Sequence, residues 1–171
     1  MNPRPKPLTV VAIELAMPCA RWRRNLPGVK KIATEAASAA LAQSKKRIPA
    51  AELSLVLADD AAVAALNRRW RGRAGPTNVL SFPSGDEFDG SGPRLLGDVV
   101  LAYGTVAREA KAQGKTLADH ARHLIVHGVL HLLGYDHEAD GPAQRMERLE
   151  TRILATLGVS DPYRIREEAD G

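Results

Sequence analysis

The chain has little cysteine, few aromatic residues and no long apolar run. Its one cysteine, Cys19, excludes an internal disulfide and fits a reducing compartment, so we expect a cytoplasmic protein. No apolar stretch approaches the roughly 18 residues of a membrane-spanning helix, and we expect no transmembrane segment. Aromatic residues make up only 4% of the 171 residues and hydrophobic residues 44%, which predicts a core of alanine, leucine and valine. This length predicts one domain.

A strong excess of either charge is also missing. Lysine and arginine number 24 against 20 aspartate and glutamate, and the net charge of +4 mildly favours an anionic partner such as nucleic acid. The basic residues are locally concentrated between residues 19 and 28, a segment that we interpret as a loop with a basic patch around Trp22. RNA contact and plain solvation are both open explanations of this patch. Its arginines are Arg21, Arg23 and Arg24.

Hydrophobic periodicity divides the chain into short strands and helices. The predicted strands are residues 8–15, 52–58, 79–82 and 95–102, and the predicted helices are 29–46, 60–70, a short one up to 113, 117–133 and 142–157. The last strand is apolar enough for burial on both faces or a central position. We expect a flexible N-terminus (1–7), a single domain (8–158) and a flexible charged tail (159–171).

The most informative stretch runs from His127 to His137. His127 and His131 are four residues apart, so on a helix they lie one turn apart on the same face. Both imidazoles can then reach one ion at the usual Zn–N distance of roughly 2.0–2.1 Å. Gly134 favours the end of the helix, and a return of the chain would bring His137 up as a third ligand. Three histidines leave the fourth tetrahedral position open, as in a catalytic site.

A glutamate is missing where a zinc protease would need one. The spacing H-x3-H-x5-H matches the ligand arrangement of metzincin proteases, which carry a general-base glutamate directly after the first histidine. Here that position is Gly128, which can neither accept a proton nor orient a water molecule. The spacing therefore predicts a metal site but opposes peptidase chemistry. A helix with hydrogen-bonded histidines and a capping glycine is the alternative.

Other polar residues near this stretch have several interpretations. His123, His127 and His131 share a helix face, but His123 and His131 are about 12 Å apart along the axis and cannot both bind one ion. We interpret His123 as a residue that orients a ligand imidazole or simply packs. We expect His120 to be exposed. Asp136 either accepts a hydrogen bond from a ligand histidine or caps a turn.

Three separated segments together resemble one protein family. They are Arg71-Gly72 with Pro76 to Pro83, Leu96 to Val100, and the block from His127 to His137 with Gly128 inside it. In this order they are similar to the YbeY family of bacterial metal-dependent endoribonucleases, also called rRNA maturation factors. The resemblance spans roughly residues 8–158.

The resemblance implies an α+β fold, with a small mixed sheet of about four strands flanked by helices and a metzincin-like metal helix. It implies one zinc ion on His127, His131 and His137, with water or substrate in the fourth position. It also implies cleavage of single-stranded RNA, in maturation of the 3′ end of small-subunit ribosomal RNA and in ribosome quality control. The ribosome or its small subunit would then be the partner.

The same resemblance assigns roles to arginines. The functionally critical arginine of the family corresponds to Arg71, which would act on the scissile phosphate beside the three histidines. Apart from the resemblance, their charge leads us to expect that Arg73 and the Arg21–Arg24 cluster hold the RNA backbone. Asn78 stands where many relatives have aspartate, so we expect no catalytic carboxylate there. The general base is not identified, and the nucleophile is either water or the 2′-OH of the RNA.

Two other functions stay open beside this one. A non-catalytic ribosome-associated factor would use zinc structurally, and a zinc peptidase shares the histidine spacing. Imidazole ligands also suit nickel, copper and iron. Zinc is favoured by the three-histidine geometry and by the resemblance.

Overall fold

The computed structural model describes residues 10–44, 50–85, 93–135 and 140–163. The predicted N-terminal segment 1–7, the predicted third ligand His137, Asp136 and the last part of the predicted tail, 164–171, lie outside these described residues. Within the described ranges, no helix is both long enough and apolar enough to cross a membrane.

Four strands of the described chain form one mixed sheet. They are β1 (Val10–Ala16), β2 (Ala50–Ala58), β3 (Val79–Pro83) and β4 (Arg94–Ala102), in the spatial order β1-β2-β4-β3. β1 is parallel to β2 and β2 is parallel to β4, whereas β3 is antiparallel to β4. β4 lies inside the sheet, as its apolar run predicted, and the mixed four-stranded sheet confirms the predicted α+β class.

Helices cover both faces of this sheet. Those in the described ranges are α1 (Ala20–Asn25), α2 (Val29–Gln43), α3 (Asp60–Arg71), α4 (Tyr103–Ala112), α5 (Leu117–Leu132) and α6 (Asp140–Thr156). Alternate side chains of β4 enter two different cores. Val99 and Leu101 join the large core with α2, α5 and α6, whereas Val100 and Ala102 join a smaller core with Val63 of α3. The sheet therefore lies between α3 and the layer that contains α5.

The segment predicted as a basic loop is in part a helix, so that prediction was wrong. α1 occupies residues 20–25, and its Trp22 is fully buried instead of lying in a solvated patch. The indole N–H donates to the carbonyl of Ala58 at 2.9 Å, and the ring packs edge-on against Tyr103. The buried residues Cys19, Trp22, Leu26 and Val29 follow a helical spacing, so the sequence carried a signal for this helix that the basic residues obscured.

α5 begins and ends as its sequence predicts. The hydroxyl of Thr116 accepts a hydrogen bond from the N–H of Asp119 and caps the first turn. At the other end Gly134 has a φ of 91°, and its N–H donates to the carbonyl of His131 at 3.0 Å. The N–H of Tyr135 donates to the carbonyl of Leu130 at 3.1 Å, which completes a Schellman motif. The chain therefore reverses directly after the helix that carries the histidines.

Candidate metal centre

His127 and His131 meet on the exposed side of α5, whose opposite side packs in the core. The two Nε2 atoms are 3.0 Å apart, with ring planes at 76° to each other. Both side chains are half-buried, so the nitrogen pair lies at the edge of the core and within reach of solvent. The structure thus brings together two of the three predicted ligands, as the four-residue spacing on a helix requires.

A buried carboxylate from α6 holds the far side of the His127 ring. Oε1 of Glu150 lies 2.5 Å from Nδ1 of His127, and the Glu150 side chain is only 1% exposed. Burial by itself would raise the pKa of Glu150, but hydrogen bonds from His123 and His127, aided by the charge of the two imidazoles, lower it to about 2. Glu150 is therefore ionised at neutral pH and can only accept hydrogen bonds.

Two more groups complete the environment of this carboxylate. Nε2 of His123 lies 3.1 Å from Oε2 of Glu150, and the hydroxyl of Tyr163 donates to the same oxygen. The rings of His123 and Tyr163 contact each other edge-on, at 5.5 Å between centroids. His123 and His127 therefore share the carboxylate of Glu150. This arrangement is compatible with the orienting role that the sequence suggested for His123.

The donor atoms present here fit a metal ion. Because ionised Glu150 can only accept, Nδ1 of His127 carries a proton, and Nε2, which faces His131, is the nitrogen that is left to bind an ion. A histidine ligand whose second nitrogen donates to a carboxylate is the usual arrangement in metal sites. His123, His127 and Glu150 also form a group that can hold a metal ion, since one ligand atom of each lies within 4.8 Å of the others.

Gly128 marks the closest approach of α5 to the sheet. A Cβ atom at this position would lie 2.6 Å from Cγ1 of Val99 and 3.2 Å from the hydroxyl oxygen of Ser81, which itself donates to the Gly128 carbonyl at 3.1 Å. A side chain here would point into β3 and β4 and away from the histidine pair. The position that carries the general base in a metzincin therefore has neither the space nor the direction for one.

The predicted phosphate-binding arginines lie on exposed chain at the end of α3. Arg71 is the last residue of that helix, and Gly72 ends it with a φ of 63°. The N–H of Arg73 donates to the carbonyl of Asn67, whose side-chain amide donates to the carbonyl of Gly75 at 2.9 Å. Asn67 thus fixes the loop that carries Arg73. In the described part of the chain, no hydrogen bond or ion pair joins Arg71 to the histidines.

Asn78 has a structural function that an aspartate could not perform. Its amide nitrogen donates to Glu109 at 3.0 Å, and Oε1 of Glu109 also lies 3.0 Å from Nε2 of His120. An aspartate at position 78 would place two carboxylates against each other. His120, expected to be exposed, is only 3% exposed, so that prediction was wrong. It lies along the same face of α5 as His127, where Glu109 of α4 satisfies one of its nitrogens.

The basic residues of α1 are exposed, as predicted, although the segment is helical. Arg23 and Arg24 lie in its last turn, and the guanidinium of Arg21 lies over the ring of Tyr103, 4.8 Å from its centroid. RNA contact by these three arginines stays a prediction.

Comparison with known proteins agrees with this geometry. A family model described as "Endoribonuclease YbeY" matches residues 21–158. A curated protein of that name from Paramagnetospirillum magneticum is 54% identical over 159 residues, which cover 90% of this chain and 97% of the relative. Another from Azorhizobium caulinodans is 51% identical over 144 residues, 84% of this chain and 91% of the relative. The chain belongs to the YbeY family of endoribonucleases.

Among solved structures, this YbeY-family chain is similar to the solution structure of TM1509 from Thermotoga maritima. The TM-score is 0.52 at 20% sequence identity, and the match covers 90% of this chain and 98% of the other. At that identity the likeness shows the fold alone. The matched span of the YbeY family includes α5 and α6, and therefore both the histidine pair and Glu150.

Glu150 is the site residue that sequence reasoning missed in this YbeY-family chain. A signal for it exists: it lies among the apolar positions of α6, four residues after Met146 and three before Ile153, both of which are buried. A carboxylate on the core side of an amphipathic helix needs a partner, because an unpaired buried charge is strongly unfavourable. The pattern indicates that a partner exists, but it does not identify His127.

Proposed function

We propose that this chain is a zinc-dependent endoribonuclease that cuts single-stranded RNA, in maturation of the 3′ end of small-subunit ribosomal RNA and in ribosome quality control. Membership of the YbeY family supports RNA cleavage and rRNA processing. The observation that carries the metal part is the convergence of Nε2 of His127 and Nε2 of His131, with an ionised, buried carboxylate behind His127. The substrate of this protein would then be RNA of the ribosome or of its small subunit, in the cytoplasm.

His127 and His131, together with the predicted third ligand His137, are the residues that would hold the ion. A zinc ion would supply a Lewis acid that polarises a phosphoryl oxygen or lowers the pKa of water. Three imidazoles suit zinc with one open position, and this supports zinc over the other metals that imidazole accepts.

The protein side chains would perform the remaining tasks. Glu150 keeps a proton of His127 on Nδ1, so that Nε2 would be the atom that binds the ion. The guanidinium of Arg71 would pair with the scissile phosphate, where a bidentate contact stabilises the negative charge that develops. Arg73 and the cluster Arg21, Arg23 and Arg24 would hold the RNA backbone through contacts that do not depend on sequence.

A single comparison tests the proposal. Wild-type protein and a His131→Ala variant, purified side by side, are assayed for zinc content and for cleavage of a single-stranded RNA with and without chelator. We expect the variant to fold normally and to lose zinc and cleavage together. A variant that loses its fold along with the zinc would instead support a structural role of the metal. Chelator-resistant cleavage by wild type would overturn the zinc dependence.

Arg71 requires its own variant. Arg71→Ala should abolish cleavage while zinc stays bound, because the proposed contact is with the phosphate alone. Arg68→Ala, one turn earlier on the exposed part of α3, is the matched control and should cut normally. Full cleavage by Arg71→Ala would remove Arg71 from the mechanism.

The chemistry of the new RNA ends identifies the nucleophile. Attack by water leaves a 5′-phosphate or a 3′-phosphate, whereas attack by the 2′-OH leaves a cyclic phosphate. Turnover of casein by the zinc-loaded protein would favour a peptidase, which the steric exclusion of a glutamate at position 128 opposes.

A further inference from the structure

A groove in the described part of the chain is lined by arginines to which the function above assigns no role. It lies between the end of α5 and one side of α6 and has a volume of about 580 Å³. Its lining consists of Gly134, Tyr135, Pro142, Leu149 and three arginines, Arg145, Arg148 and Arg152. Gly134, which lines the groove, follows His131 by three residues in the chain.

The three arginines form one continuous basic edge. Arg145, Arg148 and Arg152 are spaced by three and four residues, so they lie on the same face of α6. All three are exposed, and none has an ion pair with a described residue. Like charges at this spacing repel each other and destabilise a helix by a few tenths of a kcal/mol per pair. Since no described acidic residue pairs with this row, it suits an anionic partner that contacts all three arginines.

The dimensions of the row suit a polyanionic chain. Seven residues of helix correspond to about 10 Å, or roughly three nucleotides at the stacked spacing of a nucleic-acid strand. The half-buried Tyr135 adds an aromatic ring to the lining. A basic groove with an aromatic side chain is the usual combination in proteins that bind single-stranded nucleic acid, because the cations follow the backbone and the ring stacks on a base.

We propose that this groove binds the phosphodiester backbone of single-stranded RNA, with Arg145, Arg148 and Arg152 each contacting a phosphate. The inference rests on the function proposed above, since it assumes that RNA is the substrate. It assigns to α6 a second task besides orienting His127 through Glu150. The two tasks use different faces of one helix, the buried face at Glu150 and the exposed face at the arginines.

The test measures binding separately from cleavage. A fluorescent single-stranded RNA is titrated with protein in the presence of chelator, at a series of salt concentrations, and Kd is obtained from anisotropy. The triple variant Arg145→Gln/Arg148→Gln/Arg152→Gln should raise Kd by about tenfold and lower the slope of log Kd against log salt by about 2, because a single strand contributes about 0.7 per phosphate contact. The matched control Lys30→Gln/Lys31→Gln/Lys111→Gln removes the same charge from exposed positions of α2 and α4 and should change Kd less than about twofold.

Equal changes of Kd in the two triple variants would overturn the proposal that the groove binds RNA, because total charge alone would then explain binding. Displacement of the RNA by polyglutamate at equal charge concentration would also overturn it. If the arginine variant binds and cuts RNA like wild type, the proposal that the groove binds RNA fails and the endoribonuclease proposal stands. If wild type binds RNA through these arginines but does not cut it, the proposal that the groove binds RNA stands and the endoribonuclease proposal fails.

A second measurement uses only wild-type protein, so it does not depend on the folding of a variant. Arginines are modified with phenylglyoxal with and without the RNA, and labelled positions are identified by mass spectrometry. We expect RNA to protect Arg145, Arg148 and Arg152 and to leave the exposed Arg94 of β4 as reactive as before. Unchanged labelling of the three groove arginines would overturn the proposal.

Discussion

At the scale of single residues, the centre depends on a carboxylate that is kept ionised in a buried position. Glu150 receives hydrogen bonds from His127, His123 and Tyr163. These bonds outweigh the unfavourable burial and lower its pKa to about 2. Since an ionised carboxylate can only accept hydrogen bonds, Glu150 fixes the tautomer of His127 and with it the direction of the proposed ligand atom.

Replacement of Glu150 by glutamine tests this orienting role. Glutamine has nearly the same shape but no charge, so it holds the Nδ1 proton of His127 less strongly. We expect Glu150→Gln to weaken zinc binding by about 10- to 100-fold, measured by competition with a chromophoric chelator. Glu147→Gln, on the same helix and outside this network, is the control and should bind zinc like wild type. Equal zinc affinities for Glu150→Gln and wild type would contradict the role.

The same titration distinguishes the two groups of residues that can hold an ion. If zinc sits on the pair His127 and His131, His131→Ala should bind it far more weakly than His123→Ala. The reverse order would place the ion on His123, His127 and Glu150.

His120 makes stability depend on pH. Burial lowers its pKa below the ordinary value, against the opposing effect of the carboxylate of Glu109. The folded protein therefore binds fewer protons at this residue than the unfolded chain does. The contribution of His120 to stability is complete above pH 6.5, its ordinary pKa, and is lost as the pH falls below that value.

A glutamine at position 120 removes this titration and can still donate to Glu109. Between about pH 7 and pH 5, the free energy of unfolding should fall more steeply for wild type than for His120→Gln, by at most about 1.4 kcal/mol per pH unit. Urea denaturation at a series of pH values measures both curves. Glu150 does not interfere, because its own titration lies between about pH 4.5 and pH 2. Parallel curves would show that His120 takes up protons equally in both states.

At the scale of elements, α5 is positioned by its close approach to the sheet at Gly128. Alanine is the better helix former by about 1 kcal/mol, yet its Cβ would lie 2.6 Å from Val99. We expect Gly128→Ala to lower the free energy of unfolding by about 1–3 kcal/mol, because packed strands cannot move aside freely. In α6, Gly141 has no atom within 4 Å of the corresponding position, so Gly141→Ala should be neutral or slightly stabilising. Urea denaturation of both variants decides, and a stable Gly128→Ala protein would show that the layers can separate.

Elements whose signals are local were predictable from the sequence. The caps at Asp59 and Thr116, the helix end at Gly134 and the apolar run of β4 all depend on residues close in the chain, and the structure has each of them. The pairing of His127 with His131 belongs to the same class, because one helix carries both residues. A four-residue spacing on a capped helix leaves little freedom for the two rings.

Features that depend on distant contacts were not predictable in the same way. The indole of Trp22 in α1 donates to the carbonyl of Ala58, which lies 36 residues further along the chain. The burial of His120 depends on the packing of α4 beside α5, where Glu109 becomes its partner. Glu150 is separated from His127 by 23 residues. In each case the residue type is compatible with exposure, and only tertiary packing determines its environment.

At the scale of the whole molecule, the candidate centre is assembled from parts of the chain that are distant in sequence. α5 supplies the histidine pair, α6 supplies Glu150, and Tyr163 approaches the same carboxylate from beyond the end of α6. The sequence pattern placed residues 159–171 in a flexible tail, yet Val159 and Pro162 are buried and the Pro162 carbonyl accepts a hydrogen bond from Lys115. Residues 159–163 therefore pack against the domain.

Two truncated chains test whether residues 159–163 belong to the functional unit. A chain that ends after Tyr163 keeps the hydroxyl that donates to Glu150, so it should bind zinc and unfold like the full chain. A chain that ends after Gly158 leaves Glu150 with one hydrogen bond fewer, and we expect a loss of about 1–3 kcal/mol in stability and weaker zinc binding. Tyr163→Phe in the full chain keeps the ring against His123 and removes only the hydroxyl, so it should reproduce part of the zinc effect. If the chain ending after Gly158 melts and binds zinc like the full protein, Glu150 orients His127 without help from Tyr163.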